Sequence, residues 1–96
     1  MTAFFAAEPE EALALREAVE AKEALMAPFP LHQAPGVLVA ETGVGKVAAA
    51  LAVAHVLTRF APRESFFLGV AGGLDPSLRA LDLLLAEKAV QWDVDL

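Results

Sequence analysis

Residues 37–60, VLVAETGVGKVAAALAVAHVLTRF, run from an apolar stretch through a Gly-x-Gly-Lys turn into a segment that is apolar on nearly every side. A strand that turns sharply into a helix lays the two side by side, and a helix without a polar face needs cover on more than one side. Such a segment predicts a layered α/β arrangement, with the helix over Lys46–Phe60. Gly43 and Gly45 supply backbone angles that other residues resist. The free N–H groups at the helix start attract anions and sugar oxygens, and glycines let a ligand approach the backbone closely. This turn is not a nucleoside-triphosphate loop, which needs Gly, four spacers, Gly-Lys and then Ser or Thr. Ala40 stands where the first glycine would be, and Val47 where the hydroxyl would meet magnesium.

Before this segment, TAFFAA reads as a short strand, and EPEE as a helix start, with Pro9 in the first turn and Glu8, Glu10 and Glu11 at the positive end of the dipole. Ala12, Leu15 and Val19 recur at helical spacing, so the helix is expected from Glu10 to about Met26. FPLHQ and VLVAE flank an Ala-Pro-Gly turn and predict a hairpin. After the second helix, SFFLGV reads as a buried strand, AGGLDPSLRALD as a loop and LLLAEKAVQW as a last strand. Strands alternating with helices predict a mostly parallel or mixed sheet covered on both faces. Ligands of such sheets gather at the carboxyl ends of the strands, here the loops AAEPEE, TGVGK and GVAGGL.

Ninety-six residues make one small domain, 1–96, and a chain of this size buries only about 60–65% of its unfolded surface. Yet 57% of its residues are hydrophobic, above the usual ~45–50%, so part of the surface is expected to meet another subunit or further polypeptide. A net charge of −6 with scattered basic residues argues against nucleic acid. Without cysteine there is neither a disulfide framework nor a thiolate nucleophile, and His32 and His55 are too few and too separate for a structural zinc site. No metal or cofactor is expected. The amino terminus has no positive leader, and the longest apolar run is broken by His55 between Lys46 and Arg59. A cytoplasmic protein without a membrane span is the expectation.

In order and spacing, the three loops resemble the nucleoside phosphorylase and nucleosidase superfamily, most closely the 5′-methylthioadenosine/S-adenosylhomocysteine nucleosidases. The best stretch is Glu41 to Leu78, where TGVGKVAAALA and GVAGGLDPSL resemble the family's Gly-x-Gly-Lys turn and its Ala-Gly-Gly-Leu ribose loop. The resemblance covers nearly all of the chain and is thin between Met26 and Gly36. It implies the first half of a three-layer α/β/α fold with a mixed sheet. It also implies hydrolysis of the bond between a purine base and ribose in methylthioadenosine or S-adenosylhomocysteine-like nucleosides. Glu11 matches the acidic residue that positions and activates the attacking water. On the residues alone, Glu11 reads first as a helix-start carboxylate facing the dipole, and it is the resemblance that favours the catalytic role. By the same matching Ala7 and Val44 line the pocket, Ala71 and Gly72 lend backbone to sugar or base, and Lys46 is structural. Val70 stands where these nucleosidases carry a serine that helps hold the water, which leaves room for a relative such as a futalosine hydrolase. WDVDL resembles the segment that crosses to a partner subunit, so Leu96 would cap the neighbour's pocket in a homodimer; a frayed terminus is the alternative.

The superfamily's other reaction, phosphorolysis, needs a pocket that accepts phosphate, usually with arginine in the first loop. Here that loop carries Glu8, Glu10 and Glu11, which would repel phosphate, whereas a carboxylate there can take a proton from water. The family runs to more than twice this length, and its distal part holds the aspartate that protonates the purine and the glutamate that holds the ribose hydroxyls. Neither has a match in this chain, so the expectation is a nucleosidase portion incomplete for efficient catalysis. The alternative is a noncatalytic, self-associating module. A Rossmann-type dinucleotide site ranks behind both, because Gly69, Gly72 and Gly73 lack the Gly-x-Gly-x-x-Gly order.

Overall fold

The row of residues Ala6, Glu41 and Leu68 organises the molecule, because three parallel strands end there in register. The computed structural model describes residues 1–91. Its elements are β1 (Thr2–Ala6), α1 (Pro9–Val19), β2 (Glu23–Ala24), β3 (Leu31–Ala34), β4 (Val37–Glu41), α2 (Lys46–Phe60) and β5 (Glu64–Leu68). One mixed sheet has the order β2-β3-β4-β1-β5. β1 lies parallel to both β4 and β5, while β3 is antiparallel to β4 and to β2.

Alternation along the strands gives the sheet two apolar faces. Ala3 and Phe5 of β1, Leu38 and Ala40 of β4 and Leu31 of β3 form one buried cluster with Val56 of α2, which Val53 and Phe60 extend. The opposite face carries Ala6 and Val39, both buried, and α1 lies against β1 and β4 with Ala12 buried. Each fully buried Val, Leu or Phe contributes about 1.5–3 kcal/mol, so these two thin layers hold the fold. Phe66 stacks on Phe4 with ring centroids 5.6 Å apart, and Phe67 on Phe5 at 6.2 Å, which fastens β5 to β1 on both faces.

Several expectations are corrected. α1 ends at Val19, well before Met26, because Glu20 turns left-handed at φ 56° and its N–H closes the helix onto Arg16 and Glu17. The chain then buries Ala21 and forms β2, an element missing from the sequence reading. The hairpin is present, but its first strand begins at Leu31 rather than Phe29. β5 is an edge strand, not a buried one: Phe66 and Phe67 remain 42% and 52% exposed. Among the described residues, 83–91 form no strand, and Leu83, Leu84, Leu85 and Val90 are exposed. A strand needs a partner edge, and an apolar run alone does not provide one. α2 spans the expected residues, yet its all-round apolar character does not bring all-round burial, since Val47 and Leu51 face solvent.

α1 and the hairpin meet through a polar contact: Arg16 Nη1 donates to His32 Nε2 at 3.1 Å. An imidazole nitrogen that accepts from a guanidinium must be unprotonated. Burial holds His32 below the ordinary histidine range; the Arg16 guanidinium acts in the same direction, and Glu41 opposes it. The unfolded chain therefore binds this proton more readily than the folded one. The stability this provides is full above the ordinary histidine value and is lost as pH falls below it. The thermal midpoint is expected to drop between about pH 7.5 and about pH 5.5, and His32→Gln, which keeps an acceptor for Arg16 but cannot titrate, is expected to flatten that slope. An equal slope in the variant would exclude this contact as its source.

Candidate active site

Beyond the row Ala6, Glu41 and Leu68, the three expected loops leave the sheet side by side, as a topological switch point requires. In the β4–α2 loop, the Thr42 N–H donates to the Ala6 carbonyl at 2.8 Å, tying it to β1, and the Thr42 hydroxyl donates to the Gly43 carbonyl. Gly43 and Gly45 take φ of 84° and 111°, so the turn needs glycine as the sequence implied. At Gly45, ψ is 160°, a region almost closed to other residues. Gly45→Ala is expected to destabilise the chain by about 1–3 kcal/mol in urea unfolding. A Cβ added at Gly45 would meet no atom within 4 Å, so any loss comes from the backbone rather than a clash. A variant as stable as the parent would refute the strain. Lys46 Nζ donates to Gln91 Oε1, so this lysine ties α2 to the far end of the described chain.

In the β1–α1 loop, the Glu8 N–H donates to Glu11 Oε1 at 3.2 Å, the reach-back half of a capping box. This bond turns the Glu11 side chain along the start of α1. Arg16, five residues on, is engaged with His32 and leaves the first loop without a cation of its own. Glu11, Ala14 and Leu15 of α1 and Leu68, Gly69 and Val70 of the β5 end line a cleft of about 290 Å³. Glu11 carries the one polar side chain among these lining residues.

Two of the expected site residues, Glu11 and Val70, therefore share a cleft. Ala7 and Val44 sit at the neighbouring strand ends and do not line it; Val44 is exposed and Ala7 partly buried. Ala71 lines a separate hollow of about 230 Å³ with Gly73, Leu78 and Arg79, and Gly72 lines neither. Leu96 lies outside the described residues, as does Trp92. Ala14, Leu15, Leu68 and Gly69 are cleft residues that the sequence does not mark as part of the site. The first two follow Glu11 at helical i+3 and i+4 spacing, which could have found them. Among the described residues, no group of three or more His, Asp or Glu could hold a metal ion, and no helix is long and apolar enough to cross a membrane.

The sequence model of the phosphorylase superfamily matches residues 4–96. The chain belongs to that superfamily. Within the superfamily, it is similar to the 5′-methylthioadenosine/S-adenosylhomocysteine nucleosidase of Colwellia psychrerythraea, with 37% identity over 95 residues, covering 95% of this chain and 39% of that protein. The nucleosidase of the same name from Geobacillus thermodenitrificans is 36% identical over 98 residues, covering 97% of this chain and 42% of the relative. Among solved structures, the Colwellia psychrerythraea nucleosidase in complex with adenine superposes with a TM-score of 0.69 at 36% identity, over 81% of this chain and 34% of that one. The Neisseria meningitidis nucleosidase in complex with methylthio-immucillin-A gives 0.68 at 31% identity, over 81% of this chain and 36% of that one. The mixed sheet and its two helices are thus part of the superfamily's fold. The chain spans about two fifths of the length of the curated relatives it matches.

Proposed function

We propose that residues 1–96 form a single domain-sized portion of a purine nucleosidase that hydrolyses the glycosidic bond of methylthioadenosine or S-adenosylhomocysteine-like nucleosides. The observation that carries this reading is the Glu11 carboxylate, held by the Glu8 N–H and facing the cleft between α1 and the end of β5. In the reaction, the oxygen of a water molecule bonds to the anomeric carbon, and the carbon–nitrogen bond breaks with its electron pair left on the base. Glu11 takes a proton from the water, and the base nitrogen takes one from a general acid. The acidic first loop supports water rather than phosphate as the nucleophile, because Glu8, Glu10 and Glu11 would repel an anion. Ala7 and Val44 would wall the adjoining strand ends, Ala71 and Gly72 would offer backbone to the sugar or base, and Val70 would shape the water site without holding it. The names of the relatives and of their bound ligands support a purine nucleoside as the substrate.

The working form we propose is a cytoplasmic homodimer in which Leu96 reaches the partner's pocket. The exposed apolar residues Val47 and Leu51 on one side of α2 support association. A monomeric mass by light scattering across the micromolar range would remove this part of the proposal.

The test is adenine release from methylthioadenosine by the purified chain, its intact mass verified in the same sample. The resemblance puts the general acid in the family's distal part, and one such group contributes about 10²–10⁴-fold, so the expected release is slow but dependent on Glu11. Release that does not depend on Glu11, or none at all, would count against hydrolysis and favour the noncatalytic, self-associating module.

A further inference from the structure

The two oxygens of Glu11 have different surroundings. Oε1 accepts the Glu8 N–H at 3.2 Å and is committed to the start of α1. Oε2 points across the cleft to the end of β5, where a Cβ added to Gly69 would stand 3.4 Å from it. Gly69 itself is not among the residues with positive φ, so its backbone is one that any residue adopts. Within 4 Å among the described residues, Glu11 Oε2 is also the one atom such a Cβ would meet. Neither backbone geometry nor packing against the core calls for glycine here. What its missing side chain does is leave space in front of one carboxylate oxygen, in a cleft whose other lining residues are Ala14, Leu15, Leu68 and Val70.

We propose that Gly69 is a positioning residue that keeps the approach to Glu11 Oε2 open, and that Oε2, not Oε1, is the oxygen that accepts the proton of the attacking water. This inference rests on the nucleosidase reading of the site. A water in that space has Oε2 as its one side-chain acceptor, since the other lining side chains are apolar, and its oxygen is left free to face the sugar. A methyl at position 69 would be in van der Waals contact with Oε2 and would take the place of that water without disturbing the capping bond on Oε1.

Crystal structures of the chain and of Gly69→Ala, with adenine release from methylthioadenosine measured on both, test the proposal. The expected parent structure has an ordered water within about 2.6–3.2 Å of Oε2, the range for a proton in transfer. In Gly69→Ala the water is expected to be gone and the Glu8 N–H to Oε1 bond kept, with kcat at least tenfold lower and KM unchanged. A water still on Oε2 in the variant, no water there in the parent, or an undiminished kcat would overturn it. If the parent releases no adenine, the nucleosidase reading fails on that ground alone, and the pair of structures still decides whether Gly69 keeps Oε2 open. Should Gly69→Ala not fold, Gly69→Ser, which adds the same Cβ and a hydroxyl able to replace the water on Oε2, is expected to show the hydroxyl bound there. Failure to find it would equally overturn the inference.

Discussion

Glu11→Gln is expected to lower adenine release from methylthioadenosine by about 10²–10⁴-fold, the usual worth of a positioned general base. Glutamine has nearly the same shape and keeps a carbonyl oxygen able to accept the Glu8 N–H, so the 3.2 Å capping bond survives. What it loses is the ability to take a proton from water near neutral pH. Glu11→Ala removes both functions, and losing the reach-back hydrogen bond to the Glu8 N–H adds about 0.5–1.5 kcal/mol of destabilisation. Comparing the two variants by release rate and by thermal melting separates base from cap. Equal rates for the parent and Glu11→Gln would show that the carboxylate serves the helix alone.

Phe5→Ala is expected to remove most of the stability of the chain. Phe5 is 1% exposed, sits in an interior strand and belongs to the cluster that joins β1, β3, β4 and α2. Truncating a buried phenylalanine costs about 3–5 kcal/mol. A domain of this size has about 5–14 kcal/mol in total, and each kcal/mol moves its midpoint by about 4–8 °C. A fall of about 12–40 °C follows, enough to leave the variant largely unfolded at 37 °C. Phe67, which stacks on Phe5 but is 52% exposed, provides the contrast, since its removal forfeits a partial burial and one stacking contact. Calorimetry that found the two variants equally stable would mean that the core is not centred on β1.

The parts of the fold that were legible in the sequence are those whose cause is local. The limits of α2 at Lys46 and Phe60 follow from the glycine turn before it and from Ala61-Pro62 after it, and the structure has the same limits. The hairpin followed from Pro35-Gly36. The errors arose where tertiary contacts decide. Residues 20–26, EAKEALM, hold good helix formers and no breaker, yet Glu20 turns left-handed and the chain leaves to bury Ala21 and pair β2 with β3. Residues 83–92 were readable as a strand only from their apolar run, and 83–91 lie beside no partner edge. At the site, the start of α1 and the glycine turn could be read from caps and backbone angles. The facing of Glu11 and Gly69 could not, because it depends on the parallel register of β5 against β1.

That register also sets a schedule for synthesis. β1 is made before both of its neighbours and ends as an interior strand, with Thr2 opposite Val37 on one side and Glu64 on the other. At about 5–20 residues per second, the ribosome needs about 3–12 s to go from the first of these positions to the last. During that interval TAFFA, uncharged and rich in aromatic side chains, has no complete pair of neighbours. The chain therefore passes each round of translation with this apolar segment waiting for both of its neighbours, and the yield of folded protein is expected to respond to the pace of elongation and to chaperones that hold apolar nascent segments.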